Sequence, residues 1–254
     1  MRINFIPKPE NAVVPEMQLT WDNIANVPFG AVTSVTAWNT FFNLPTKGTA
    51  FTSVEVTGNM VRLMGGWSIT LKTNIFRDSI HLVAIEDISG CITAAEEYAF
   101  FLCSANIIYL PGLLTAGTAC FFACPTIYIT CPNIVSAESL CFGNSNMPNI
   151  YLPFLEYVGT SCFQDCHNTT VFDLPAATDI EYYAFLRCYA VEAFNLPSLV
   201  HLGRGTDNSS IFLSIAGQTI TLVVPAALMT CRNGGPDLDI VYLQSGNTVT
   251  VVEV

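Results

Sequence analysis

Cysteine is the residue type in this chain with the plainest capacity for chemistry, and there are ten of them. Thiolates hold zinc where paired Cys-x-x-Cys segments converge, and they attack substrates where a histidine lies within reach. Neither pattern is present: Cys120/Cys124 and Cys162/Cys166 have three residues between them, and the three histidines, His81, His167 and His201, have no His-Glu-x-x-His or His-x-His partner. The cysteines follow another rule. Cys120, Cys141 and Cys162 each directly precede a phenylalanine, and Cys103, Cys124, Cys166 and Cys188 each follow one by three residues. That placement predicts columns of small, half-polar side chains packed as buried free thiols, not a metal centre and not a disulfide framework.

The remaining polar motifs point the same way. Asp237-Leu238-Asp239, after Gly234-Gly235-Pro236, has too few ligands for a calcium loop and reads as a solvated turn. Glu55 and Glu96-Glu97 find no acid-base partner. Glycine-rich phosphate loops and the Gly-x-Ser-x-Gly elbow are absent from the sequence. Asn168-Thr169-Thr170 and Asn208-Ser209-Ser210 match the glycosylation acceptor pattern, which has force only in a secreted chain. The expectation is a protein that is not an enzyme and uses no cofactor or metal.

The phenylalanines that organise the cysteines form a repeat. Phe100, Phe121, Phe142, Phe163 and Phe185 are separated by 21, 21, 21 and 22 residues. Pro111, Pro132, Pro153, Pro175 and Pro197 keep step with them at 21, 21, 22 and 22. Two columns with one period mark a solenoid, in which each coil buries its apolar face against its neighbours. Before each proline the chain alternates, as in Ile108-Tyr109-Leu110-Pro111 and Phe172-Asp173-Leu174-Pro175. This is the period of a strand with one buried face, and proline ends the strand because it cannot donate to a ladder. The Phe-x-x-Cys half is the return path.

The chain divides accordingly. Residues 1–50 read as an N-terminal arm with one short helix near Val32–Phe42. The arm's prolines, Pro7, Pro9 and Pro15, limit regular structure and suit it to docking on a larger assembly. Residues 51–78 read as an N-terminal β cap, with Val61–Met64 and Trp67–Lys72 paired across Gly65-Gly66 as a hairpin. Residues 79–213 hold the repeats; the first, Ile80–Cys103, lacks its proline, and the register breaks after Pro197 at a loop over Gly203–Ser210. Residues 214–254 read as a strand-rich C-terminal cap with a turn at Arg232–Pro236.

Charge narrows the partners. Nine Lys and Arg stand against twenty Asp and Glu, a net charge of −11, which repels nucleic acid and anionic lipid. Tyr98–Ala137 has no charged side chain, yet Pro111, Gly112, Pro125 and Pro132 interrupt it, so membrane insertion is not expected and an uncharged outer surface is. Met1–Lys8 lacks the apolar core of a secretion signal. The protein is therefore expected either to stay where it is made or to leave inside a virion.

Written out, the phrase is apolar-x-apolar-Pro, an apolar residue, Gly117 or Gly159, then Phe-x-x-Cys. It resembles the BspA-type leucine-rich repeat family over about residues 80–213. Two impurities stand out: Ser145 in a cysteine position, and Thr130-Cys131 before Pro132. The flanks, Trp38–Gly48 and Val224–Cys231, are similar to the ends of repeat proteins carried by bacteriophages and prophages. The resemblance implies a leucine-rich-repeat solenoid, mostly β with short irregular or 3-10 convex segments. It also implies a parallel repeat sheet, strand-rich caps at both ends, and a non-enzymatic attachment role.

If the residues one and three before each proline point inward, those two and four before it point out. The outward columns are then Tyr109, Thr130, Tyr151, Asp173 and Asn195, and Ile107, Tyr128, Asn149, Val171 and Ala193. Tyr109, Tyr128 and Tyr151 form an aromatic patch suited to a protein or a cell-surface glycan, and high strand propensity explains the same tyrosines without a partner. The leading expectation is a phage receptor-binding or fibre-type virion component, assembled in the host cytoplasm. One alternative is a decoration or connector subunit packing against other virion subunits or its own copies. The other is an adhesin on a bacterial cell surface.

Overall fold

The computed structural model describes residues 14–30, 32–44, 50–125, 128–202, 210–231 and 236–254. Residues 1–13 of the expected arm, most of the Gly203–Ser210 loop and Arg232–Gly235 of the expected turn lie outside them.

Each coil has three passages. In one, strand Ile107–Tyr109 forms the front, Pro111 turns the chain, the two-residue strand Thr115–Ala116 forms the back, and a turn through Phe121 closes the circuit. Ile108 and Leu110 are buried while Ile107 and Tyr109 face out, the pattern that alternation before the proline requires.

The front strands form two ladders. The first runs Ser53–Thr57, Met60–Met64, Glu16–Trp21, Leu82–Glu86, Ile107–Tyr109, Tyr128–Thr130; the second runs Asn149–Tyr151, Val171–Asp173, Ala193–Asn195, Thr219–Val224, Thr248–Glu253. The gap between them falls where a proline opens a strand. In neighbouring coils the residue before the strand donates its N–H to the coil behind, as Asn106 N does to Val83 O at 2.7 Å and Thr170 N to Pro148 O at 2.8 Å. In the Asn149–Tyr151 coil that residue is Pro148, which has no N–H. The coils stay joined behind. The return path carries its own parallel ladder of seven strands, from Ile69–Leu71 to His201–Leu202.

The Phe-bearing turn makes a third set of rungs. Tyr98 N, Phe100 N and Leu102 N donate to Thr118 O, Cys120 O and Phe122 O of the next coil at 2.9, 2.8 and 3.0 Å. Ala119, Phe121 and Ala123 repeat the set, as do Leu140, Phe142 and Asn144. In each turn the first and last of these residues hold positive φ, as at Tyr98 (57°) and Leu102 (55°). A left-handed non-glycine residue costs about 1–2 kcal/mol, which the inter-coil hydrogen bonds and the buried ring between them offset.

Inside the turn the rings stack. Phe76, Phe100, Phe121, Phe142, Phe163, Phe185 and Phe212 form one column with centroids 5.3–5.9 Å apart and planes within 22°. Cysteines line it. Cys91, Cys103, Cys120, Cys124, Cys131, Cys141, Cys162, Cys166 and Cys188 are buried and free, and only Cys231 is exposed. Cys124 Sγ donates to Phe100 O at 2.9 Å and Cys188 Sγ to Phe163 O at 3.2 Å. Ser145 fills the vacant cysteine position, buried, with Oγ 3.4 Å from Cys166 Sγ.

Several expectations for the ends need correction. Glu16–Trp21, assigned to an extended arm, is a strand inserted between the cap hairpin and the first coil, antiparallel to both Met60–Met64 and Leu82–Glu86. Met17, Leu19 and Trp21 point inward and are buried, which explains the insertion. Behind it, helix Val35–Phe41 packs Trp38 into an aromatic cluster with Phe29, Phe41 and Phe42. The hairpin is not built on Gly65-Gly66: Ser53–Thr57 pairs with Met60–Met64 around Gly58, at φ 58°. Gly66 instead crosses between sheets, where a Cβ would lie 2.7 Å from the side chains of Phe51 and Ile69.

At the other end the front register does not break after Pro197. Strand Thr219–Val224 pairs in parallel with Ala193–Asn195, so Pro225 stands one coil on from Pro197. The C-terminal cap contains a helix besides its strands. Leu238–Gly246 forms it, and Asp237 caps it by accepting from Asp239 N at 2.9 Å. Asp239 is therefore not part of a solvated turn: it is buried and accepts from Ile211 N at 2.9 Å, ahead of the last ring of the column.

Candidate functional site

The front face is where the fold sets side chains in rows and leaves most of them at least partly exposed, Ala84 being buried. Strand pairing gives one row as Glu55, Arg62, Gln18, Glu86, Tyr109 and Thr130, and a second as Thr57, Met60, Thr20, Ala84, Ile107 and Tyr128. Across the gap left by Pro148, the second ladder continues with Tyr151, Asp173 and Asn195 beside Asn149, Val171 and Ala193. Of the residues expected to face out, Val171, Asp173, Ala193 and Asn195 are half-buried. Ile107, Tyr109, Tyr128 and Tyr151 are 41, 37, 61 and 63% exposed.

The expected residues are not one continuous surface. Tyr109 and Tyr128 share a shallow depression lined also by Glu86, Asn106, Ile107 and Thr130. Tyr151 and Asn149 open the other ladder. The polar members there partly satisfy each other: Asn195 Nδ2 donates to Asp173 Oδ1 at 2.6 Å, and Thr170 Oγ1 to Asn149 Oδ1 at 3.2 Å. Asp173 and Asn195 are half-buried.

Glu86 and Asn106 are the residues that sequence reasoning missed. Glu86 lies 23 residues before Tyr109, out of period, in the one coil whose proline position is Ile88. Its neighbour Asp87 replaces the buried leucine of other coils. Asp87 is wholly buried and accepts from Cys91 N at 2.9 Å, Cys91 Sγ at 3.0 Å and Ile92 N at 2.7 Å. The carboxylate thus shapes the turn that proline shapes elsewhere.

Charge on this face gathers toward the N-terminal cap. Arg62 lies 2.7 Å from Glu16 and 3.4 Å from Glu55, and its hydrogen bond holds the Glu16 carboxyl below the usual carboxylate range. A second polar network, Asp165 with Arg187 at 2.5 and 2.6 Å, clamps adjacent turns beside stacked His167 and Tyr189. Among the described residues no group of three or more His, Cys, Asp or Glu is placed to hold a metal, and no helix is long and apolar enough to cross a membrane.

Stacked parallel ladders, a buried ring column and a proline-terminated front strand define a leucine-rich-repeat solenoid, a fold typical of non-enzymatic protein interaction. Residues 93–205 match the BspA type leucine-rich repeat region in six copies. No curated protein and no solved structure matches the chain.

Proposed function

We propose that the protein is a non-enzymatic attachment component of a bacteriophage virion, engaging a cell-surface protein or glycan through the front face around Tyr109, Tyr128 and Tyr151. The observation that supports this reading is the exposure of those three rings and Ile107 on the front of the repeat sheet. Tyrosine gives contact area and a hydroxyl at low entropic loss, and a rigid sheet presents both without reorganisation. The virion setting rests on the similarity of the flanks to phage-borne repeat proteins.

A second reading, a connector or decoration subunit, is favoured by the last front strand. Among the described residues Thr248–Glu253 pairs on one side only, and Val252 and Val254 at that end are exposed. The test applies labelled protein to a panel of bacterial cells beside a Tyr109→Ser/Tyr128→Ser/Tyr151→Ser variant of unchanged circular dichroism. Binding that the variant loses supports attachment through this face. Absence of binding by both forms rejects it in favour of assembly.

A further inference from the structure

We infer that the depression between Glu86, Tyr109 and Tyr128 is a seat for an arginine side chain of a basic polypeptide partner. The inference rests on the front face being a docking surface and names what docks there.

Three observations carry it. The first is local chemistry. Glu86 and Tyr109 are register partners on adjacent strands, Ile107 and Tyr128 are partners one strand on, and all four line one depression with Asn106 and Thr130. A carboxylate in one depression with two phenol rings suits a planar guanidinium, which stacks on an aromatic while its N–H groups bond a carboxylate. The second is that among the described residues no cation serves Glu86. The basic side chain of this face, Arg62, is committed to Glu16 and Glu55, and Glu86 is in no ion pair among the described residues. The third is the charge of the whole molecule: nine basic residues against twenty acidic, net −11, attract a basic segment and repel a second copy of this chain.

The chain already contains the completed arrangement elsewhere. On the Phe-bearing turn the Arg77 guanidinium lies 5.3 Å from the Tyr98 ring centroid and 4.7 Å from that of Phe101, with its Nε 3.4 Å from Asp78 Oδ2. The front depression has the rings and the carboxylate of that arrangement and lacks the guanidinium. A partner that supplies it completes the same set across an interface.

The probe is fluorescein-labelled octa-arginine, read by anisotropy against the full chain, with octa-lysine and a serine-glycine peptide of equal length beside it. Octa-arginine is expected to bind more tightly than octa-lysine, and the neutral peptide not to bind. Glu86→Gln and Tyr109→Ala should each weaken octa-arginine binding by roughly five- to tenfold, the scale of one charged or cation–π contact. Tyr109→Phe, which keeps the ring, should retain it. Glu138→Gln removes the same charge from the back of the solenoid and should leave binding unchanged, provided every variant melts as the parent does. Equal losses in Glu86→Gln and Glu138→Gln, or equal affinity for the arginine and lysine peptides, would overturn the inference by showing only diffuse attraction. Failure of octa-arginine to bind or to compete, while the triple tyrosine variant still abolishes cell binding, would sink the arginine seat and leave the docking face standing with an uncharged ligand such as a glycan. If that variant also binds cells normally, both fall.

Discussion

Phe142 is the ring on which the two halves of the front depend. It stacks on Phe121 at 5.3 Å and 14° and on Phe163 at 5.5 Å and 9°. The junction it spans is the one where Pro148 interrupts the front ladder. There the coils are held by the back rungs, such as Gly159 N to Ala137 O at 2.8 Å, by the corner rungs, such as Phe142 N to Cys162 O at 2.9 Å, and by the ring itself. Phe142→Ala removes a ring that is 1% exposed and leaves a cavity flanked by two rings too tightly stacked to collapse into it. The expected loss is about 3–5 kcal/mol, the upper part of that range including the two stacking contacts. With a guanidinium m-value of about 4 kcal/mol/M, the midpoint falls by about 1 M.

Because a solenoid is coupled only through nearest neighbours, weakening one interface also separates what lies on either side. The three tryptophans, Trp21, Trp38 and Trp67, all sit N-terminal to this junction. Tryptophan fluorescence therefore follows the first half, whereas far-ultraviolet circular dichroism follows the whole. The two transitions should coincide in the parent and separate in Phe142→Ala. A loss below about 1.5 kcal/mol with coincident probes would refute the argument, since it would mean that neither the cavity nor the junction limits stability.

Three further outcomes are expected. Asp87→Ala leaves the buried Cys91 and Ile92 amides without their acceptor and should cost about 2–4 kcal/mol in chemical denaturation. Burial pushes the Asp239 carboxyl above the usual range, so the native state holds that proton more tightly than the unfolded chain. Its contribution favours folding at low pH and fades as pH rises through the folded value, and Asp239→Asn, which keeps the acceptor for Ile211 N, should therefore stabilise the protein at neutral pH and gain nothing near pH 3, as read by melting across pH. Burial also raises thiols, Cys103 to about 11 and Cys131 to about 12, and although hydrogen bonds from Cys188 and Ser145 lower the Cys166 thiol, it too is buried, so a thiol-reactive dye on native protein should label Cys231 alone and reach all ten cysteines only in denaturant.

Much of this architecture is legible in the sequence because the repeat prints it many times. Five in-step phenylalanines and prolines are enough to place the coil, the inward cysteines and the outward tyrosines. What escapes is what occurs once. Phe76 and Phe212 belong to the ring column but lie 24 residues before Phe100 and 27 after Phe185, outside the period. Glu16–Trp21 carries a three-residue inward alternation, too short to separate from an arm without its partners 40 or more residues on. Glu86 is hidden because its coil exchanges a leucine-proline corner for Asp87, a hydrogen-bonding solution to the same turn. Five of the seven back strands have two residues, too short for any periodicity to register. Pro148 was visible, but its consequence depends on which neighbour its missing N–H would have met.

The strand at Glu16–Trp21 also sets the order in which the molecule can be made. It leaves the ribosome before both partners, which end at Met64 and Glu86, some 43 and 65 residues further on. Once Leu82–Glu86 arrives, the hairpin, this strand and the first coil form a finished template. Each later coil then docks on the one before it as it emerges, through contacts only one repeat apart in sequence. The hairpin, this strand and the first coil are thereby the seed of a growth that runs in the direction of translation, to which Thr248–Glu253 adds in parallel on Thr219–Val224.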